Sequence, residues 1–204
     1  AVVASGALWR ATRPVEQKLH PLVRLDVDLG PDVSLDSPSG PDAALSPDGT
    51  RLVYVSHGRL FTRRLDQPNT TELAGTRGAY APFFSPDGQW VAFFTALSLK
   101  KISVDGGSAV TLGDAFLGNG GSWGEDGNII AALNSQTVAI SASSRGLSRI
   151  PASGGPPTPV TEVQSGELTH RWPQILPGGK AVLFTVSGRA SIDENNIAVM
   201  SFAD

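Results

Sequence analysis

The chain has 204 residues, 17% of them charged, a formal net charge of −3 and no cysteine. The lack of cysteine excludes disulfides, thiolate metal sites and a cysteine nucleophile, and the charge balance offers no Lys/Arg stripe of the kind nucleic acid requires. With 23 Gly and 15 Pro the chain is rich in turn formers, and it is long enough for one domain with a substantial core.

Residues 1–11 (AVVASGALWRA) are mostly apolar and lead to Arg13 and a linker-like stretch over 14–21. A bilayer span takes roughly 20 apolar residues, so this stretch does not cross a membrane by itself. It reads either as the end of a longer membrane helix, with Trp9 and Arg10 as interfacial anchors, or as a surface leader. Residues 22–29 (LVRLDVDL) alternate apolar and polar and predict a strand.

A repeat follows. Ser46-Pro47-Asp48-Gly49 recurs as Ser85-Pro86-Asp87-Gly88, weakens to Gly124-Glu125-Asp126-Gly127 and then to Leu176-Pro177-Gly178-Gly179. The second residues stand at 47, 86, 125 and 177, at intervals of 39, 39 and 52. Proline presets φ for a turn, aspartate bonds its own backbone two residues on, and glycine accepts positive φ. Strand-like runs precede each turn (42–45, 81–84, 120–123, 171–176) and follow it (51–56, 89–95, 128–133, 180–186). Third strands are predicted at 59–65, 99–104, 146–151 and 196–202, and fourth strands at 70–73, 109–112 and 158–162. Four strands per period of about 40 residues is the pattern of a propeller blade. The longer third interval places a Ser-rich loop between 134 and 145.

These observations predict an all-β chain: a β-propeller of about four four-stranded blades, at 42–73, 81–112, 120–162 and 171–204. The last blade lacks its outer strand, and the strand at 22–29 is the candidate to complete it. A partial ring exposes apolar sheet at both ends. Either the four blades close on themselves, or two copies meet about a two-fold axis and complete the ring as a homodimer.

The repeat LSPDGTRLVYVS … FSPDGQWVAFF is similar to the WD-like repeats of TolB-type β-propellers. More narrowly, GAYAPFFSPDGQWVAFF, LKKISVDGGSAVTL, GSWGEDGNIIAA and GELTHRWPQILPGGKAVLFT resemble the extracytoplasmic propeller of bacterial membrane-anchored serine/threonine protein kinases. The resemblance covers roughly residues 22–204. It implies a sensor or scaffold module on the periplasmic side of a membrane. The kinase motifs are absent: the chain has no glycine-rich phosphate loop, no His-Arg-Asp run and no Asp-Phe-Gly. Propellers of that kind carry more blades than this chain holds.

In a propeller, the loops from strand four to the next strand one and from strand two to strand three gather on one face, and candidate site residues are sought there. Arg77, Tyr80, Asn119, Asn134 and Arg171 are candidates for ligand binding. Glu167, His170 and Arg171 form the densest polar cluster and are the candidates for catalysis. Asp114, Glu167, His170, Asp193 and Asn195 are the candidates for a divalent metal, calcium or zinc, in the manner of propeller hydrolases resembling gluconolactonases and organophosphate hydrolases. The Glu167–His170 spacing of three enforces little on a loop, and a histidine such as His170 is more often a hydrogen-bonded structural residue. No Gly-x-Ser-x-Gly elbow occurs. Three functions stay open: a module binding a small molecule or a protein; a metal-dependent hydrolase of lactones, esters or phosphotriesters; and a structural fragment. Neither nucleic acid nor a membrane is expected as a partner of this chain itself.

Overall fold

The computed structural model describes residues 24, 26–35, 40–134, 145–188 and 195–202. Among these the chain forms four antiparallel sheets in sequence order, each a blade. Blade one holds β1 (Ala43–Leu45), β2 (Arg51–Ser56), β3 (Arg59–Arg64) and β4 (Thr70–Glu72). Blade two holds β5 (Tyr80–Phe84), β6 (Trp90–Phe94), β7 (Ser98–Ser103) and β8 (Val110–Asp114). Blade three holds β9 (Gly121–Trp123), β10 (Asn128–Ala131), β11 (Ser148–Pro151) and β12 (Thr158–Pro159). Blade four holds β13 (Glu167–Ile175), β14 (Ala181–Gly188) and β15 (Asn196–Ser201).

In blades one and two the repeated tetrapeptide closes the first hairpin by side-chain bonding. The Gly49 N–H donates to the Ser46 carbonyl at 2.8 Å, and Asp48 accepts from the Ser46 hydroxyl and from the Thr50 N–H. Ser46 Oγ in turn accepts the Arg51 N–H at 2.9 Å. Blade two repeats the arrangement with Ser85, Asp87, Gln89 and Trp90. Gly49 and Gly88 sit at φ 71° and 69°, where a Cβ is strained.

The blades stack through the period of their second strands. Val53 and Val55 face blade two and pack with Val91, Phe93 and Ile102. The alternate residues of β6, Ala92 and Phe94, face blade three and pack with Ile129, Ala131 and Ile150. In the same way Ile130 packs toward Val182 and Phe184 of blade four. Each inner blade is therefore apolar on both faces, as strands buried on both sides require.

The two ends of the stack differ. On blade one the register pairs Leu52 with Arg63 and Tyr54 with Phe61, so these four share the face turned away from blade two. The Tyr54 and Phe61 rings stack at 5.5 Å, and Tyr54 is 1% exposed. The segment 26–35 lies across this face: Arg63 donates to the Asp28 carbonyl, and the Ser34 N–H donates to Ser56 Oγ at 3.2 Å. On blade four, Leu183 pairs with Val199 and Thr185 with Ile197. These face away from blade three, and Ile197 and Val199 are 75% and 59% exposed.

This corrects the expected closure by the strand at 22–29. The last sheet has three strands. Residues 24 and 26–29 form no strand, and 22, 23 and 25 lie outside the described residues. The physical reason is the covering of Tyr54 and Phe61: residues 28–34 are held on blade one by the bonds above, so they do not reach the edge of blade four. The leader over 1–21 lies outside the described residues, as does the loop at 135–144. Among the described residues no helix is long and apolar enough to cross a membrane.

Candidate functional site

The inner strands β1, β5, β9 and β13 flank a central channel. Three have a left-handed residue, within the strand or just before it, five places before the second residue of the turn: Ala81 (φ 47°), Gly120 (φ 86°) and Trp172 (φ 53°). Such backbone is costly for a residue with a Cβ and persists only where its surroundings hold it. At Trp172 the register of β13 on β14 slips, and its N–H donates to the Asn119 carbonyl at 2.9 Å. The indole then lies across the channel. A Cβ at Gly40 would stand 2.7 Å from the ring and 2.8 Å from Ala81, and one at Gly120 would stand 2.6 Å from the ring. Glycine at 40 and 120 makes room for the ring, which links blade four to the other three near the axis.

Below the indole, toward the turns, the channel opens into a pocket of about 620 Å³ lined by the inner strands of all four blades. Its wall is Leu45, Phe83, Trp123, Ile175 and the turn prolines Pro47, Pro86 and Pro177. Its polar groups are few. The Ser122 hydroxyl lines it but is held by the Ile175 N–H at 3.0 Å, leaving Gln174 and Glu125 at the mouth. Such a surface holds an apolar group and orients it with one or two polar contacts.

On the opposite rim the structure places the sequence-derived candidates. Glu167 and His170 stand in β13, where a loop was expected, and Arg171 stands in the same strand, where one was predicted over 171–176. Register shifts at Glu167–Thr169 and Arg171–Gln174 break the period of two that marks a strand in sequence. Glu167 and His170 do meet: His170 Nε2 lies 3.1 Å from Glu167 Oε2. The other ring nitrogen lies 2.7 Å from Thr161 Oγ1, which accepts the Leu147 N–H at 2.8 Å. His170 is buried against Phe184. The Gln164 N–H, and after it His170, hold the Glu167 carboxyl below its ordinary range. This relay ties β11 and the β12–β13 connection to the start of β13. Both imidazole nitrogens are engaged, so ligation of a metal by His170 requires it to give up Thr161 or Glu167.

The remaining candidates are dispersed. Arg171 donates to Thr169 Oγ1 at 2.6 Å. Tyr80 stacks on Phe94 in the seam between blades two and three; burial pushes its phenol up to about 12 against the lowering effect of the Gly118 backbone, and its hydroxyl makes no well-formed hydrogen bond. Asn119 and Asn134 both donate to the Leu117 carbonyl, at 3.3 and 2.9 Å, and so pin one loop. Asn195 accepts the Ser187 hydroxyl at 2.8 Å. Arg77 is exposed on a loop and Asp114 at the end of β8, and Asp193 lies outside the described residues. Among the described residues no three His, Asp or Glu side chains converge as a metal site would need.

The sequence reading missed the pocket at the turn end. Its signal was present: each turn is preceded by large apolar residues on the inner strand, Leu45, Phe83, Trp123 and Ile175. Pooled with the seam residues, they read as uniform core.

No family model matches the chain, and no curated protein matches it. Solved structures do. TolB from Acinetobacter baumannii aligns with 78% of the chain at 16% identity and a TM-score of 0.60. Hydrazine synthase of Kuenenia stuttgartiensis aligns with 85% at 16% identity and 0.60, and a structure of a nidogen/laminin complex with 78% at 13% identity and 0.58. The fold is that of a TolB-type β-propeller. The chain spans 40%, 49% and 58% of the length of those three structures, and its blades form a partial ring.

Proposed function

We propose that this chain is a binding and scaffold module that receives an apolar small molecule, or an apolar segment of a partner protein, in the turn end of the channel. The reading rests on one observation: four inner strands converge on a mainly apolar pocket of about 620 Å³ whose polar side chains are Ser122, Gln174 and Glu125. Preformed pockets of this kind bury most of a ligand and are few per protein. The resemblance to the propellers of membrane-anchored kinases, and the structural likeness to TolB, support a sensor or scaffold role on the extracytoplasmic side. The hydrolase reading draws on Glu167 and His170, whose visible bonds serve the seam between blades three and four.

Nile red, a neutral apolar dye, tests the site. Saturable binding at one site is expected, with a change in Trp123 fluorescence. Leu45 is 56% exposed at the pocket, so Leu45→Arg should fill the space without disturbing the core and abolish binding. Absence of saturable binding, or binding indifferent to Leu45→Arg, refutes the site.

A further inference from the structure

We propose that the channel pocket selects a cationic ligand, with an apolar body against its wall and one ammonium or guanidinium group on the Glu125 carboxylate. The inference rests on the channel reading above and adds the charge of what the pocket takes.

The repeat carries the argument. The second residue of the turn lines the pocket in all four blades, as Pro47, Pro86, Glu125 and Pro177. Proline suits this position, because its fixed φ presets the turn and narrows the unfolded chain. Blade three departs from the pattern and sets a carboxylate where the others set an apolar ring. That blade packs on blade two and on blade four, so the place of Glu125 is fixed from both sides.

The turn itself does not use this carboxylate. That work falls to the third residue. Asp48, Asp87 and Asp126 each accept the backbone N–H two places on, at 3.1, 3.0 and 3.0 Å. Each also bonds a nearby side chain, Ser46, Ser85 and Asn128 in turn. Among the described residues Glu125 makes no hydrogen bond and no ion pair.

The chain's own cations leave it unanswered. Lys101 Nζ donates to the Ala152 carbonyl at 2.7 Å and lies 4.7 Å from the Trp90 ring centre. Arg149 lies over the Phe202 ring at 5.0 Å. Lys180, just past the turn of blade four, is exposed. No basic side chain lines the pocket, whose wall includes the rings of Phe83 and Trp123. Aromatic faces attract a cation as well as an apolar group, whereas an anionic ligand would meet Glu125 with no counter-charge.

Displacement of Nile red by naphthylmethylamine, naphthalenemethanol and naphthoate tests the charge. The three share a ring system and are cationic, neutral and anionic at neutral pH. In low salt the amine should bind about fivefold more tightly than the alcohol, the upper range for an exposed ion pair, and naphthoate should bind more weakly than either. Added salt should shrink the preference. In Glu125→Gln the ratio of amine to alcohol affinity should fall to about one, whatever the affinity of the alcohol becomes. Glu125→Pro restores the repeat; it should remove the preference without lowering the thermal midpoint, which separates loss of the site from loss of the fold. Once the preference is seen, acetyl-Leu-Lys-Leu-amide tells its source. Tighter binding than the amine assigns the cation to a partner protein, and weaker binding to a free small molecule. Equal binding of amine and alcohol to the unaltered chain overturns the proposal and leaves the pocket standing. So does a preference that survives Glu125→Gln. Failure of Nile red and of all three naphthyl compounds to bind overturns the pocket and this proposal with it.

Discussion

Blade one and blade four end the same stack, and they treat an identical problem in opposite ways. Among the described residues, both present an apolar face with no further blade against it. On blade one the chain's own segment 26–35 lies over Tyr54 and Phe61, and Tyr54 is as buried as any residue between blades. On blade four the corresponding face keeps Ile197 and Val199 in solvent. The difference separates two roles that one repeat can serve. A covered end contributes to folding stability within one chain, whereas a bare end contributes only when something else arrives.

The largest test of that contrast is a pair of truncations. Tyr54→Ala should cost about 3 kcal/mol, the usual loss for a large buried ring, whereas Val199→Ala should stay within about 0.5 kcal/mol. Urea unfolding at a concentration that keeps the chain monomeric measures both, and equal losses would break the comparison. A smaller effect sharpens it: Ser56→Ala removes the acceptor for the Ser34 N–H and should cost about 1 kcal/mol. Amide exchange should quicken over 26–35 and stay unchanged in blade four.

The smallest effect concerns the turns. The Ser46 hydroxyl, with the Thr50 N–H and hydroxyl, pulls the Asp48 carboxyl from 3.8 to about 2, and Asp87 is lowered by Ser85 and the Gln89 N–H. A carboxyl lowered by folding contributes stability above its unfolded value and loses it as pH falls through its folded value. Protection at Gly49 and Gly88 should therefore drop as pH falls from 3.8 toward 2. Protection at Gly179 should not follow them, since Gly178 stands in blade four where the other turns have aspartate. A parallel loss at all three would show that global unfolding, rather than the turns, sets the acid limit.

Much of the fold was legible because it is local. The tetrapeptide holds the serine, aspartate and glycine that a self-bonded turn needs, and its spacing counts the blades. Strands follow where apolar runs lie between turns. Legibility fails where a residue's partner is distant. Glu167 to His170 looked like a loop because two register shifts hide the start of the strand. Residues 22–29 alternate like a strand, but Arg63 and Ser56 hold the chain that follows on blade one. Of the candidate residues, Glu167 and His170, grouped in the sequence as one polar cluster, do touch. The sequence had no means of seeing that Thr161 occupies the second nitrogen.

The sequence by itself determined the blade: which residues turn, which pair, and which second-strand residues are apolar on both faces, since each depends on chemistry within about 40 residues. Only the tertiary structure decided what lies at the axis and at the ends. Trp172 crosses the channel because Gly40 and Gly120, far from it in the chain, leave space for its ring. Among the described residues, 26–35 lie against blade one, whereas Ile197 and Val199 of blade four stay exposed. These outcomes depend on where blades stand relative to one another, and a repeat that writes every blade alike cannot specify that.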